Sequence, residues 1–178
     1  KKTILNKKSQ YNIMSFRNLQ LINPIIRAIT EAGYANPTDL QNLVIPIILD
    51  RKDVLVSAKS GKIASFAIPI LQLLKRSQQE HMFVRSLILV PSGSIAKEID
   101  EFFDIFSKYT ILSKLTITEH TSLESHLSGL NKRIDVLIAT PEKLLECMEK
   151  KSISFSRLEF LVLYDADILY SKTRINEI

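Results

Sequence analysis

The sequence predicts an α/β domain: a mostly parallel central sheet with helices on both faces. Three observations carry this. Short apolar runs without polar alternation recur at residues 54–57, 86–90 (SLILV), 135–139 (DVLIA) and 160–163 (FLVL), as strands covered on both faces require. Between them lie longer stretches with helical apolar spacing, and strand and helix in turn imply right-handed parallel crossovers. Finally, 178 residues, 46% of them hydrophobic, suit one domain around one apolar core and exclude a disordered chain.

The elements follow in order. Residues 1–15 are a polar lead-in, with Lys1, Lys2, Lys7 and Lys8 forming a basic arm. Asn23-Pro24 opens a helix, with Asn suited to the N-cap and Pro to the first helical position. Ile22, Ile25, Ile26 and Ile29 form its apolar stripe, and Gly33 ends it. Thr38-Asp39-Leu40-Gln41 matches a capping box and starts a second helix that contains Pro46. After a polar turn at 50–53, strands are predicted at 54–57, 86–90, 112–118, 135–139 and 160–163. Helices are predicted at 61–76, 94–107, 122–130 and 141–150, the last capped by Thr140. In such sheets ligands bind beyond the carboxyl ends of the strands. The loops after Val56, Val90, Ala139 and Leu163 therefore form the rim to read for chemistry.

Composition narrows the function classes. There are 24 basic and 19 acidic residues, a net charge of +5; this favours polyanion partners, and equally describes a solvated basic surface. One cysteine, Cys147, excludes an intramolecular disulfide framework and a Cys-cluster metal site. It reads as a small packed residue, and it fits a reducing compartment such as the cytoplasm. No apolar run is long enough for a membrane span, and the N-terminus lacks the apolar stretch of a signal peptide. His81, His120 and His126 lack ligand-like spacing to acidic or Cys partners and read as surface histidines, so no metal site is expected. Because the chain begins with lysine, it is expected to be a fragment.

Five stretches in order, from about Ser15 to Leu169, carry a family resemblance. They are Phe16 followed by GYANPTDLQ, then SAKSGKIASFAIPIL, LILVPSGSIAKEI, DVLIATPEKLL and LVLYDADIL. Together they resemble the Q motif, motif I, motif Ia, the next RNA-contacting motif and motif II of the N-terminal RecA-like domain of DEAD-box RNA helicases. The resemblance implies a P-loop fold, ATP-dependent RNA binding and unwinding, and an adenine site on the Q motif. Tyr34 would stack on the base, Gln41 would bond its edge, Thr38 would brace the phosphate loop, and Phe16 would belong to the same site. An amide offers the donor and acceptor that adenine's edge requires. Local structure alone also selects Thr38 and Gln41, as a capping box.

The departures from the family pattern are specific. In motif I, Ser60, Gly61 and Lys62 remain as phosphate-binding candidates. Lys59, however, stands at a glycine position, and Ile63 stands where a hydroxyl ligates Mg²⁺. In motif II, ungapped alignment puts Tyr164 at the metal-binding Asp and Asp165 at the catalytic Glu. Tyr164 offers no carboxylate. Asp165 is one methylene short in a geometry sensitive to about 1 Å. No intact catalytic residue is expected, with Lys62 and Asp165 as degenerate remnants.

On the nucleic-acid side, Ser92, Thr140 and Lys143 are the retained candidates. Gly93 replaces an Arg, Ser94 a Glu, and Glu142 a Gly that would admit a phosphate backbone. The region from Glu119 to Ser128 lacks the Gly-Gly pair the family usually has. Thr140, Pro141 and Glu142 are also an ordinary helix start.

The expectation is a helicase domain impaired in Mg-ATP hydrolysis, inactive as an isolated fragment, with at most weak ATP, ADP or RNA binding and poorly bound Mg²⁺. The alternative is a non-catalytic protein-interaction module on the same fold, with a protein partner. The chain ends before the family's Ser-Ala-Thr motif and second RecA-like domain, so that domain is an expected partner in the full-length protein.

Overall fold

The computed structural model describes residues 15–74, 83–130, 133–150 and 153–172. The predicted basic arm, His81 and the end of the predicted 61–76 helix lie outside them. Four strands, β1 (Ser86–Leu89), β2 (Lys114–Ile117), β3 (Val136–Ala139) and β4 (Phe160–Leu163), form a wholly parallel sheet in the order β2-β3-β1-β4. Ile88 of β1 stands opposite Ile138 of β3 and Val162 of β4.

Because side chains alternate across a strand, the apolar runs feed two cores. Ile88, Val90, Val136 and Ile138 face a core with Ile25, Ile29, Ile68, Ile99, Phe103 and Phe106. Leu87, Leu89, Leu137 and Ala139 face the other, with Leu144, Cys147 and Leu169. Each fully buried Leu, Ile or Phe contributes roughly 1.5–3 kcal/mol relative to exposure, so both faces must be covered. At the amino ends of the strands, the guanidinium of Arg85, 14% exposed, lies 2.6 Å from Glu159 and 3.5 Å from Asp135. It also donates to the Leu74 carbonyl at 2.6 Å.

The covering helices are α1 (Asn23–Glu31), α2 (Asp39–Leu49), α3 (Lys62–Leu74), α4 (Gly93–Ser107), α5 (Leu123–Gly129), α6 (Pro141–Lys150) and α7 (Ala166–Lys172). A short 3-10 turn, Phe16–Leu19, precedes them. Neither this turn nor α7 was predicted from the sequence. The start of α1 is one residue earlier than predicted: Ile22 is the N-cap and makes no side-chain cap bond. Pro24 still sits in the first turn, where its missing N–H costs nothing. At α2 both halves of the capping box form: Thr38 Oγ1 accepts from the Gln41 N–H at 3.3 Å, and Gln41 Oε1 accepts from the Thr38 N–H at 3.0 Å.

One predicted strand does not form. Residues 54–57 make no strand pairing, and Leu55 is 92% exposed. An apolar run describes what a strand buries, but a strand also needs a neighbouring backbone to bond. Here Val56 and Phe160 both pack on the Val44, Ile48 and Leu73 cluster, and Arg51 pairs with Glu159 at 3.1 Å. The segment is thus tied beside the sheet without joining it. As a result β4 is an edge strand, with Leu161 56% exposed, instead of the doubly covered strand its composition predicts.

Candidate functional site

At the carboxyl end of the sheet, a cavity of about 320 Å³ opens where residues 59–61 lead into α3. Lys59, Ser60, Gly61, Lys62, Ile63 and Ala64 form one wall, Tyr34 and Gln41 another, and Glu98, Phe102 and Tyr164 close it. Local chemistry fixes the loop. Gly61 has φ +75, a left-handed conformation that glycine adopts without penalty. A Cβ there would stand 3.2 Å from Thr38 Oγ1 and 3.5 Å from Gln41 Nε2. The capping box of α2 therefore abuts the turn into α3, although Thr38 and Gly61 are 23 residues apart in sequence.

Lys62 opens α3 and points at the end of β4. Its Nζ donates to Asp165 Oδ1 at 2.5 Å and lies 4.6 Å from the centroid of the Tyr164 ring. The hydrogen bond to Asp165 is the main cause that raises the Lys62 pKa, against a smaller desolvation effect. Asp165 sits in the left-handed region at φ 50, directly before α7. Burial pushes the Tyr164 phenol pKa up, so the ring is neutral near pH 7. It stacks edge-on against Phe66 at 6.2 Å.

The predicted binding residues are only partly gathered. Tyr34, Gln41, Ser60, Gly61 and Lys62 line the cavity, and Thr38 stands behind Gly61. Tyr34 is 42% exposed and meets Phe106 edge-on at 5.3 Å. Phe16 is elsewhere: 3% exposed and part of the core. Glu98 and Phe102 were missed. They stand one helical turn apart on α4, and no local pattern distinguishes them from its other exposed and half-buried positions.

A second group of residues lies on the same rim. Ser92 caps α4, and its Oγ is 2.9 Å from Ser94 Oγ. The Gly93 N–H donates to Glu119 Oε1 at 3.2 Å. Lys143 Nζ is 2.6 Å from Glu146 Oε2, which raises its pKa. Thr140 is 4% exposed, its N–H donating to the Ile117 carbonyl at 3.1 Å. The histidine prediction is corrected at one position. His120 is exposed, but His126 is 1% exposed and both ring nitrogens lack a partner. Spacing does not reveal that α5 turns this residue inward against α6. Among the described residues, no group of three or more His, Cys, Asp or Glu could hold a metal ion.

Comparison with known proteins places this geometry. The DEAD/DEAH box helicase family model matches residues 38–178. A probable ATP-dependent RNA helicase, ddx27, of Dictyostelium discoideum is 32% identical over 98% of this chain, which spans 23% of that protein. ATP-dependent RNA helicase DDX54 of Mus musculus is 33% identical over 93% of the chain, which spans 19% of its length. Among solved structures, the RNA helicase Prp28 from Chaetomium thermophilum bound to ADP aligns with a TM-score of 0.81 and 25% identity. That alignment covers 93% of this chain and 42% of the other. A DEAD box protein from the hyperthermophile Methanococcus jannaschii gives a TM-score of 0.79 at 25% identity, covering 89% and 43%.

Proposed function

The chain belongs to the DEAD/DEAH box helicase family as an N-terminal RecA-like domain, and from this premise we propose that it holds adenine nucleotides weakly, without Mg²⁺, and is impaired in ATP hydrolysis. The observation that carries this reading is the engagement of Lys62. Its ammonium is neutralised by Asp165 at 2.5 Å and faced by the Tyr164 ring at 4.6 Å. The group that should meet a phosphate is therefore already committed within the chain. The residues present do not fit a magnesium ion: Ile63 has no donor atom, Tyr164 is a neutral phenol, and Asp165 is engaged by Lys62. Phosphoryl transfer depends on neutralising charge and positioning a nucleophile, and neither carboxylate of the usual pair is in place.

In this reading the base lies against Tyr34 and Gln41. The phosphates approach the N–H groups at the start of α3, where the helix dipole favours an anion. With Lys62 paired to Asp165, Lys59, exposed on the cavity wall, supplies the positive charge that faces the phosphates. RNA binding at this rim is weak, because Thr140 is 4% exposed and Lys143 is paired with Glu146 at 2.6 Å, which leaves Ser92 with little support. The buried thiol of Cys147 is consistent with a reducing compartment such as the cytoplasm.

Calorimetric titration with ATP and ADP, with and without Mg²⁺, tests the proposal. Equal affinities in both conditions, lost in Gln41→Ala, support it. Mg²⁺-dependent turnover that disappears in Lys62→Ala refutes it. Absence of nucleotide binding under every condition favours the non-catalytic interaction module, for which the exposed Leu55 and Leu161 offer apolar contact area.

A further inference from the structure

Two departures at the nucleic-acid rim fit each other. Gly93 is the first residue of α4, and its missing side chain leaves room that the loop after β2 fills. A Cβ on Gly93 would stand 2.6 Å from Glu119 Oε1, 2.8 Å from His120 Cδ2 and 2.9 Å from His120 Nε2. No side chain at position 93 coexists with Glu119 and His120 as placed. The contact is also polar: Glu119 Oε1 accepts the Gly93 N–H at 3.2 Å, and His120 Nε2 lies 3.5 Å from the same oxygen. The carboxylate thus sits at the N-terminus of a 15-residue helix, where an anion is favoured. Across the rim, Lys143 is answered by Glu146 at 2.6 Å and also feels the Glu119 charge.

We propose that Glu119 closes this part of the rim by placing its own carboxylate on the α4 amide, so that an RNA phosphate is excluded from the position between Gly93 and Lys143. The inference rests on the RNA-binding reading above. The closure is reversible: the Glu119 side chain is flexible and 48% exposed, and it is held by the Gly93 amide. It sets how tightly and how salt-dependently this surface takes single-stranded RNA.

Fluorescence anisotropy with a labelled 15-nucleotide oligouridine, across a salt series, tests this on the full chain. Glu119→Ala is compared with wild type and with Glu124→Ala, an equal charge change at an exposed position on α5. Glu119→Ala is expected to bind about three-fold or more tighter at low salt. Its log affinity against log salt should steepen by about 0.7, the signature of one added single-strand phosphate contact. Glu124→Ala should leave the slope unchanged. If wild type binds and the two variants behave alike, the closure is refuted while the RNA reading stands. If no protein binds the oligonucleotide at low salt, the RNA reading falls and the closure with it.

Discussion

Replacing Gly61 with alanine adds one methyl group where the turn into α3 presses on α2. Its cost divides into two parts that the structure allows to be measured separately. The first is backbone strain: φ is +75 at Gly61 and +80 at Gly33, and an L-residue held there loses about 1–2 kcal/mol. The narrower unfolded ensemble of alanine returns up to about 1 kcal/mol. The second part is contact. At Gly33 an added Cβ meets nothing within 4 Å, whereas at Gly61 it meets Thr38 Oγ1 at 3.2 Å. Thr38 cannot retreat freely, because that oxygen caps α2. Gly33→Ala should therefore destabilise by about 1 kcal/mol and Gly61→Ala by about 2 kcal/mol. For a domain of this size these losses correspond to Tm decreases of about 3 °C and 6 °C. Thermal unfolding followed by circular dichroism reads both. A double-mutant cycle with Thr38→Ala, itself worth about 1 kcal/mol as a lost cap, should show a coupling of at least 0.5 kcal/mol, because the methyl then has room. Equal melting of the two glycine variants, or strict additivity in the cycle, would refute the argument that the capping box braces the loop.

Two further outcomes follow from buried groups. Burial, with a smaller contribution from Lys143 and against Glu146, lowers the His126 pKa from its usual 6.5. The unfolded chain then binds the proton more readily. Stability present above about pH 6.5 is lost as pH falls toward the folded value, with a slope of at most about 1.4 kcal/mol per pH unit. Urea titrations at neutral and acidic pH should show this in wild type and a flatter dependence in His126→Leu; identical dependence in the two proteins contradicts it. Cys147 is fully buried, and burial raises its thiol pKa. Iodoacetamide at neutral pH should therefore leave the native thiol unmodified and label it rapidly in denaturant; fast labelling of the native protein would show that α6 does not pack as described.

What the sequence disclosed depended on the range of the physics involved. The Thr38–Gln41 box spans four residues and obeys local hydrogen bonding, so it is readable from the sequence, and it forms. The runs SLILV and DVLIA were readable because burial on both faces leaves a compositional mark. The run at 54–57 carries the same mark, yet it lacks a backbone partner, and no composition reports that. Lys62 and Asp165 lie 103 residues apart. Motif order suggested that they share a rim, but their mutual neutralisation depends on how α3 and β4 converge. Glu98 and Phe102 enter the cavity only because α4 crosses its mouth. His126 shows the opposite failure: its spacing favoured a surface position over a ligand role but said nothing about which way α5 would turn it.

The unpaired flank of β4 has a consequence for handling the polypeptide. Its outward N–H and C=O groups have no strand to satisfy them among the described residues, and Leu161 and Leu55 leave greasy ground on either side. The 54–57 segment lies beside this flank without bonding to it as a strand, so the ladder stays open to an extended segment that displaces it. In concentrated solution the readiest such segment belongs to another copy of the same molecule. Self-association should therefore grow with concentration and recede when a lysine is set at position 161.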